Sequence, residues 1–396
     1  MRVAFVGPYA VSRFASLIDL KDEHMSGHPA TWIENLSRAL IRYTDVELHI
    51  LTYSHLVSQD EYVFTGQIHY HILTPPRMRY RLFSFFSIDR YRFRKKLQEI
   101  QPDVVHGHGT ESSFAYAAVG AGFPCIVSIQ GILAEMRRTL PFELSKDYFV
   151  DLMLERLEKR TICQCDSFVA KTPFVKPFAK KINPQATLFD IVNPVDPTYV
   201  NSTERVFESD QTILFVGAAV CRLKGVEELI RAFAKILKKF PDIRLKIIGF
   251  VEAHYLSDVV EPLLRSLNLE LVVTLCGRKP ASEVAAELEK AMCLVVPSYM
   301  ETSPNVISEA MTVGVPVVAT RVGGIPHMVE DGVTGLLCKP KDVDDLGEKI
   351  QVLIENPEQR VQMGKRGREV AIKRHDHKAI AKKLVEAYDR VLAHAQ

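Results

Sequence analysis

The feature that most constrains the fold is a repeated alternation of short apolar runs with longer amphipathic stretches along all 396 residues. Four Val/Ile-rich runs in the first half indicate buried parallel strands: RVAFVG, VELHILT, DVVHGH and CIVSIQG. Five more follow in the second half: TILFVG, RLKIIG, LVVTLCG, CLVVPS and VPVVAT. Helical patterns lie between them, most clearly in GVEELIRAFAKILKKF. Such strand–helix units predict an α/β protein whose parallel sheets carry helices on both faces.

The length of the chain predicts two domains, because it exceeds what one ordinary core supports. The strand–helix series is interrupted at residues 193–210, NPVDPTYVNSTERVFESD, where turn-forming residues replace apolar periodicity. We therefore expect a first domain at 1–200 and a second at 201–375, both doubly wound and Rossmann-like, facing each other across a cleft. The last helix, about 376–396, is expected to pack back onto the first domain. Ligands of such sheets bind at the carboxyl ends of the strands.

Composition narrows the class of protein further. The net charge is +2, and neither half of the chain is strongly basic, so no nucleic-acid partner is expected. The seven cysteines are scattered and lie mostly inside apolar runs, which is typical of reduced thiols in a cytoplasmic protein. The start MRVAFVGPYA indicates a strand rather than a signal peptide. No apolar run approaches the roughly 20 residues that span a bilayer.

The segment ETSPNVISE carries two carboxylates eight positions apart, Glu301 and Glu309. Thr302 and Ser303 are N-cap types and Pro304 suits a first helical position, so a helix is predicted to begin there, with Glu309 about two turns inside it. The free N–H groups at its start, those of Asn305, Val306 and Ile307, would bind an anion. A phosphate there would be flanked by two hydroxyl-binding carboxylates. A nucleotide-sugar has that layout, with a diphosphate between a ribose diol and sugar hydroxyls.

Two glycine-containing loops are further candidates for this site. FVGAAVCRLKG predicts a strand, a loop opening with Gly217, and then Arg222 and Lys224 just before a helix. These cations would stabilise a diphosphate leaving group without a metal. The alternative is a pair of solvated surface charges, which the helix dipole disfavours. Gly323 and Gly324 would let backbone approach a ligand, although a tight turn without a ligand has the same pattern.

In the first half, His106 and His108 lie two apart on a predicted strand and so share a face. Metal ligation or acceptor binding is one interpretation, and a packed or hydrogen-bonded histidine is the other. Since no third ligand is evident, no metal site is expected. Asp342-Val343-Asp344 matches a metal-binding D-x-D only superficially, because it precedes a helical pattern and suits a helix cap.

A basic stretch at residues 77–96, RMRYRLFSFFSIDRYRFRKK, holds eight basic residues, one acid and six Tyr or Phe side chains. Basic residues interleaved with aromatics can lie at an anionic membrane surface. An ordinary helix with a solvated basic face gives the same pattern.

From Thr212 to about Asp345 the chain resembles the donor half of the family 4 retaining glycosyltransferases, which have the GT-B fold. The matching pieces are FVG…RLKG, LCGRK, VPSYMETSPNVISEAMTVGVPVVAT, VGGIP and DGVTGLL, in family order and spacing. The first domain resembles the family more weakly, in SGHPATWIENLSRAL and DVVHGHG.

The resemblance implies roles for individual residues. Glu301 would lie near the donor sugar hydroxyls, Glu309 would bind the ribose diol, and Lys224 with Arg222 would stabilise the phosphates. The other donor-side candidates are Ser303, Asn305, Val306, Ile307, Gly217, Gly277 and Arg278. The acceptor-side candidates are Gly27, His106, His108 and Gln130. The chain departs from the family pattern at Ala218, Gln130 and His327, where an Arg, a His and an acid are usual.

The expected activity is transfer of a hexosyl group from a nucleotide-diphosphate sugar to an acceptor hydroxyl, with retention and without a metal or other cofactor. The acceptor would be a glycan, a glycolipid or a lipid-linked intermediate. A nucleotide-sugar epimerase of the same fold, or a non-catalytic nucleotide-sugar binding protein, is the alternative. A glycosidase would not need a phosphate cradle between its carboxylates, and a nicotinamide dehydrogenase would need G-x-G-x-x-G after its first strand. A cytoplasmic location is expected, and the basic stretch at 77–96 adds the expectation of peripheral attachment to the inner face of the membrane.

Overall fold

The computed structural model describes residues 1–21, 30–139, 146–201 and 211–395. The chain divides into two compact units. The first consists of Met1–Pro194 together with Asp376–Gln396, and the second is Val195–His375.

The described part of the first unit contains one sheet of eight strands. They are β1 (Arg2–Val6), β2 (Glu47–Tyr53), β3 (Glu61–Thr65), β4 (Ile68–Leu73), β5 (Val104–His108), β6 (Cys125–Ile129), β7 (Ser167–Ala170) and β8 (Thr187–Asp190). Their order is β3-β4-β2-β1-β5-β6-β7-β8, and only the β3–β4 pair is antiparallel. Gly66 and Gln67, both with positive φ, form the tight turn between β3 and β4.

Helices cover both faces of this sheet. They are α1 (Thr31–Tyr43), α2 (Met78–Phe83), α3 (Ser87–Ile100), α4 (Ser113–Val119), α5 (Leu133–Thr139), α6 (Lys146–Cys163) and α7 (Val175–Ile182). Because side chains alternate along a strand, Leu48 packs in one core with Leu36 of α1, whereas Leu51 packs on the opposite face with Phe93 of α3. The sheet is therefore doubly wound, as the sequence predicts.

The second unit contains a sheet of six parallel strands in its described residues. They are β9 (Thr212–Val220), β10 (Arg244–Val251), β11 (Val273–Gly277), β12 (Cys293–Val296), β13 (Val317–Thr320) and β14 (Gly335–Cys338), in the order β11-β10-β9-β12-β13-β14. All strands predicted from the second half of the sequence are present. The order reverses between β9 and β12, which is where sheets of this kind bind ligands.

The helices of the second unit are α8 (Pro197–Val200), α9 (Val226–Leu237), α10 (Ala253–Tyr255), α11 (Glu261–Ser266), α12 (Ala281–Lys290), α13 (Asn305–Val313), α14 (Val343–Glu355) and α15 (Pro357–Arg374). On α9, Val226, Leu229 and Phe233 are fully buried, as the helical spacing predicts. Asp342 caps α14 by accepting the N–H groups of Asp344 and Asp345, which confirms the capping interpretation of that motif. The last helix, α16 (His377–Ala395), contacts α1, β5 and β6 of the first unit.

Candidate functional site

Three loops meet at the carboxyl edge of the second sheet, where the candidate donor site was predicted. The loop after β9 carries a short 3-10 helix, Arg222–Lys224, the loop after β12 leads into α13, and the loop after β13 carries Gly323 and Gly324. The Tyr299 N–H donates to the Leu223 carbonyl (2.8 Å), which joins the first two loops.

An ion pair joins Lys224 to Glu301 at the centre of this edge. The Lys224 Nζ lies 2.5 Å from the Glu301 Oε1, which also accepts the hydroxyl of the buried Ser298 at 2.9 Å. Burial alone would lower the pKa of Lys224, but the attraction and hydrogen bond of the Glu301 carboxylate raise it above its ordinary value. Lys224 is therefore held in its charged form. Because both side chains remain partly exposed, the ammonium can also contact a second anion.

Two glycines make the approach of these loops possible. Gly225 has φ +67, and a Cβ there would lie 2.0 Å from the Pro297 carbonyl oxygen. Gly323 has φ +52, and its Cβ would lie 1.9 Å from the Glu301 carbonyl oxygen, which also accepts the Gly324 N–H at 2.9 Å. The Gly323 turn therefore holds the backbone of Glu301 in place. This contact explains the tight turn without a ligand.

The start of α13 differs from the prediction in two respects. Pro304 is the N-cap rather than the first helical residue, so the helix begins at Asn305 and Glu309 lies little more than one turn inside it. The N–H of Ile307 is not free, because it donates to the Pro304 carbonyl at 3.1 Å. The Ile307 side chain is fully buried in the core, and the Ser303 hydroxyl contacts the Met328 sulfur at 3.8 Å.

Glu309 lies beside two residues that the sequence placed in the interdomain segment. Buried Tyr199 hydrogen-bonds to the Glu309 carboxylate, and Asp196 is close enough to repel it. Burial, followed by the Asp196 charge, raises the pKa of Glu309 to about 7. Asp196 also caps α8 by accepting the Thr198 N–H at 2.9 Å. The sequence Asp196-Pro197-Thr198 is typical of such a capped turn. Nothing in the neighbouring sequence predicts that this turn contacts Glu309.

Other predicted donor-side residues lie around these loops. Arg222 is exposed, and its Nε lies 3.4 Å from Glu227 of α9 rather than beside Glu301. Gly217 does not open a loop, because β9 continues through it to Val220; its carbonyl would lie 2.2 Å from a Cβ at Gly249. Gly277 ends β11 with φ +66 in open surroundings, and the Arg278 guanidinium lies 4.9 Å from the centre of the Phe250 ring.

In the first unit, β5 places His106 and His108 side by side, with ring centres 4.1 Å apart. Both ring nitrogens of His106 are engaged, Nδ1 with the Tyr388 hydroxyl and Nε2 with the Ser128 hydroxyl, each at 2.8 Å. Neither ring nitrogen of His108 has a hydrogen-bond partner among the described residues. Burial lowers the pKa of both histidines well below the ordinary value. His106 is therefore a hydrogen-bonded core histidine.

Gln130 directly follows β6, the strand next to β5. Gly27, the remaining acceptor-side candidate, lies outside the described residues.

Sequence reasoning missed three titratable side chains near this edge of the first sheet, of which Lys171 and Glu158 are buried and Glu111 is partly buried. The Lys171 ammonium, directly after β7, has no partner in the described part of the chain, and burial lowers its pKa to about 7. Glu158 accepts the Thr110 hydroxyl at 2.8 Å, and burial raises its pKa to about 8. Burial also raises the pKa of Glu111. The position of Lys171 immediately after an apolar strand was the available signal.

The basic stretch at 77–96 forms α2 and most of α3. Several of its cations make ion pairs: Arg81 with Asp89, Arg92 with Asp60, and Lys96 with Glu99. Large apolar side chains of the stretch remain exposed, including Met78, Tyr80, Phe83 and Tyr91, with Phe83 at 94%. No helix within the described ranges is long and apolar enough to cross a membrane.

Comparison with known proteins gives two family matches that together cover most of the chain. Residues 201–370 match the family model "Glycosyl transferases group 1", and residues 29–199 match "Glycosyltransferase Family 4". An uncharacterized glycosyltransferase from Methanocaldococcus jannaschii is 31% identical over 349 residues, which cover 86% of this chain and 88% of that protein. The D-inositol 3-phosphate glycosyltransferase of Corynebacterium aurimucosum is 36% identical over 157 residues, which cover 39% of this chain and 37% of that protein.

Solved structures resemble the fold of the whole chain. Sucrose-phosphate synthase from Thermosynechococcus elongatus has a TM-score of 0.82 at 20% identity and covers all of both chains. HepE from Anabaena, in a complex with UDP, has a TM-score of 0.70 at 16% identity and covers 98% of this chain and 100% of that one.

Proposed function

Since this chain belongs to the family 4, group 1 glycosyltransferases and has the GT-B fold, we propose that it transfers a hexosyl group from a nucleotide-diphosphate sugar to an acceptor hydroxyl with retention of configuration. The observation that carries this proposal is the arrangement at one sheet edge: the Lys224–Glu301 pair, the start of α13, and Glu309 one turn further along. This set offers a cation and a helix start for the diphosphate and two carboxylates for hydroxyl groups.

The Lys224 ammonium would stabilise the diphosphate as it leaves. The bond between the anomeric carbon and the phosphate oxygen breaks while the acceptor oxygen bonds to the same carbon. The proton of the acceptor hydroxyl passes to the departing phosphate oxygen. Because Lys224 stays charged throughout, its attraction grows as negative charge develops on the phosphate. Glu301 positions this lysine and would also accept hydrogen bonds from sugar hydroxyls. No metal is part of this proposal.

Glu309 would accept hydrogen bonds from the ribose diol in its ionised form. Tyr199 donates to the same carboxylate and would hold it in orientation. A pKa of about 7 means that binding of the nucleotide-sugar would weaken as pH falls below neutrality. Arg222, which is exposed beside the same loop, would assist the phosphates only by leaving Glu227.

The acceptor would bind at the first unit, near Gln130 and His108. Since both nitrogens of His106 are already engaged, this histidine would position β5 rather than contact the acceptor. Within the described residues, the ring nitrogens of His108 and the Lys171 Nζ have no hydrogen-bond partner. Replacing His108 by Gln is expected to raise the KM for the acceptor and to leave the KM for the donor unchanged.

A panel of labelled nucleotide-sugars tests the reaction, beginning with UDP-glucose because the related fold of HepE is known with UDP. Nucleotide release that requires an added acceptor supports transfer, and an α-configured product from an α-configured donor supports retention. Donor isomerisation without an acceptor would support an epimerase instead. Binding without turnover of any donor would contradict both enzymatic functions.

Peripheral attachment to an anionic membrane surface is proposed for the stretch at 77–96. The exposed Phe83 and Tyr91 lie in the same stretch as Arg94 and Lys95. Flotation with vesicles of anionic lipid is expected to retain the wild-type chain and to lose the triple variant Phe83→Ser, Arg94→Glu, Lys95→Glu. The matched control replaces two exposed lysines of α16, Lys382 and Lys383, by Glu. Equal flotation of both variants would contradict membrane attachment through this stretch.

A further inference from the structure

We propose that Glu47, His49 and His69 form a binding site for a divalent transition-metal ion in the first unit. The three residues lie on neighbouring parallel strands, β2 and β4. His49 is directly opposite His69 in the register, and Glu47 precedes His49 by two positions. Residues two apart on a strand point to the same face, so all three side chains share one face near the edge of the sheet.

The ligand atoms are already close together. One ligand atom from each of the three residues lies within 4.8 Å of the other two. The Glu47 Oε1 is 3.1 Å from the His49 Nε2, and the rings of His49 and His69 stack with centres 4.4 Å apart. Two ligands on one tetrahedral zinc ion lie roughly 3.5 Å apart, because each bond is about 2.1 Å long. Small rotations of the side chains would therefore bring the three onto one ion.

The second ring nitrogen of each histidine is held by a neighbour. The Nδ1 of His49 lies 3.1 Å from the Nε2 of His71, and the Nδ1 of His69 lies 2.8 Å from the Tyr62 hydroxyl. Metal-bound histidines nearly always have their other nitrogen in such a hydrogen bond, which fixes the tautomer and the ring orientation. This arrangement leaves the Nε2 of both histidines to face the ion.

Arg2 competes for the same carboxylate but does not block it. The Arg2 Nε lies 2.8 Å from the Glu47 Oε1, and both side chains are more than a third exposed. Exposed ion pairs of this kind contribute only about 0–1 kcal/mol. A carboxylate offers about four acceptor positions, so Glu47 can keep Arg2 and still bind an ion.

The ligand set selects a class of metal. Two imidazoles with one carboxylate suit Zn²⁺ or Ni²⁺, whereas Mg²⁺ and Ca²⁺ prefer sites made of oxygen atoms alone. Water would complete the coordination. An ion here would join β4, which carries the edge strand β3, to β2, so its effect would be on stability. The ion has no part in the proposed sugar transfer, for which the residues lie on other strands, helices and loops.

Equilibrium dialysis of the untagged full-length chain against ZnCl₂ tests this site, with MgCl₂ as a second arm. A Cys163→Ser background removes an exposed thiol, because thiolates are zinc ligands and would compete with the site. We expect one equivalent of Zn²⁺ at or below about 10 μM, no Mg²⁺, and a rise in melting temperature with zinc. His69→Gln should weaken zinc binding at least tenfold, and Tyr62→Phe roughly tenfold. The matched control, His55→Gln, alters an exposed histidine outside the cluster and should have no effect.

Two results would overturn the proposal. One is the absence of stoichiometric zinc binding by the wild-type chain at 100 μM ZnCl₂. The other is binding that is unchanged in a His69→Gln variant whose circular dichroism matches the wild type. If that variant does not fold, Glu47→Gln takes its place, because its exposed side chain can be changed with little effect on packing.

Discussion

Replacing Glu309 by Gln is expected to stabilise the second unit at pH 8 and to leave its stability at pH 4 nearly unchanged. The variant keeps the shape of the side chain and removes its charge. Burial raises the pKa of Glu309 from its ordinary value of 4.5 to about 7, so the folded chain holds this proton more tightly than the unfolded chain. The cost of ionising Glu309 therefore grows as pH rises from 4.5 through 7 and is constant above that range.

The magnitude follows from the change in pKa. At about 1.4 kcal/mol for each pKa unit, ionised Glu309 destabilises the folded state by up to about 3 kcal/mol at pH 8. A gain of that size slows exchange through local opening on the order of 100-fold. The Asp196 charge contributes part of the effect, so Asp196→Asn should give a smaller gain with the same dependence on pH.

Hydrogen–deuterium exchange of α13 measures this gain locally, which matters because a chain of two units need not unfold in one step. Variant and wild type are compared at the same pH, so intrinsic exchange rates cancel. The control, Glu348→Gln, changes an exposed carboxylate on α14 and should alter exchange at neither pH. A protection ratio that is equal at pH 4 and pH 8, or a variant less protected at pH 8, would refute the reasoning. The same variant is expected to bind nucleotide-sugar more weakly.

Three further predictions concern Lys224, Gly225 and Lys171, with Gly277→Ala as the comparison for Gly225→Ala. Lys224→Met should lower kcat at least about 100-fold, because it removes the cation beside the leaving diphosphate; a steady-state assay with unchanged activity would contradict this. Gly225→Ala should destabilise the second unit by at least about 3 kcal/mol, since the Cβ overlaps the Pro297 carbonyl. Gly277→Ala, with positive φ but open surroundings, should cost only about 1 kcal/mol, and urea unfolding of the two glycine variants measures both costs. Lys171→Met should stabilise the first unit at pH 6 by up to about 5 kcal/mol, an effect lost as pH rises from about 7 towards 10.5; urea unfolding followed by the fluorescence of Trp32 measures it.

The sequence predicts the interior strands and the long helices well, because their apolar periodicity reflects burial directly. Every predicted strand is present, and α9 buries the predicted face. The edge strand β3 and its neighbour β4 were missed, since EYVFT and IHYHIL mix polar with apolar residues. The turn at Gly66 indicates a hairpin between them, but the strand–helix alternation of the surrounding chain predicted no hairpin there. The short strands β7 and β8 were missed as well.

The candidate site was predicted in its outline but not in its contacts. The spacing of ETSPNVISE indicates a loop followed by a helix, and the structure has both. The pairing of Lys224 with Glu301 joins residues 77 positions apart, so no local pattern contains it. The same holds for Tyr199 and Glu309, whose contact depends on how α8 packs against α13. Such contacts depend on how the strands and helices pack together, and the apolar periodicity of the sequence does not determine that packing.

A diphosphate is proposed to bind between Lys224 and the start of α13. Calorimetric titration with a nucleoside diphosphate and the matching monophosphate, in wild type and in Lys224→Met, tests it most directly. We predict that the wild-type chain binds the diphosphate at least about ten times more tightly and that the variant loses this preference, which corresponds to about 1.4 kcal/mol. An equal preference in both proteins would show that Lys224 does not contact the second phosphate, and would contradict the account.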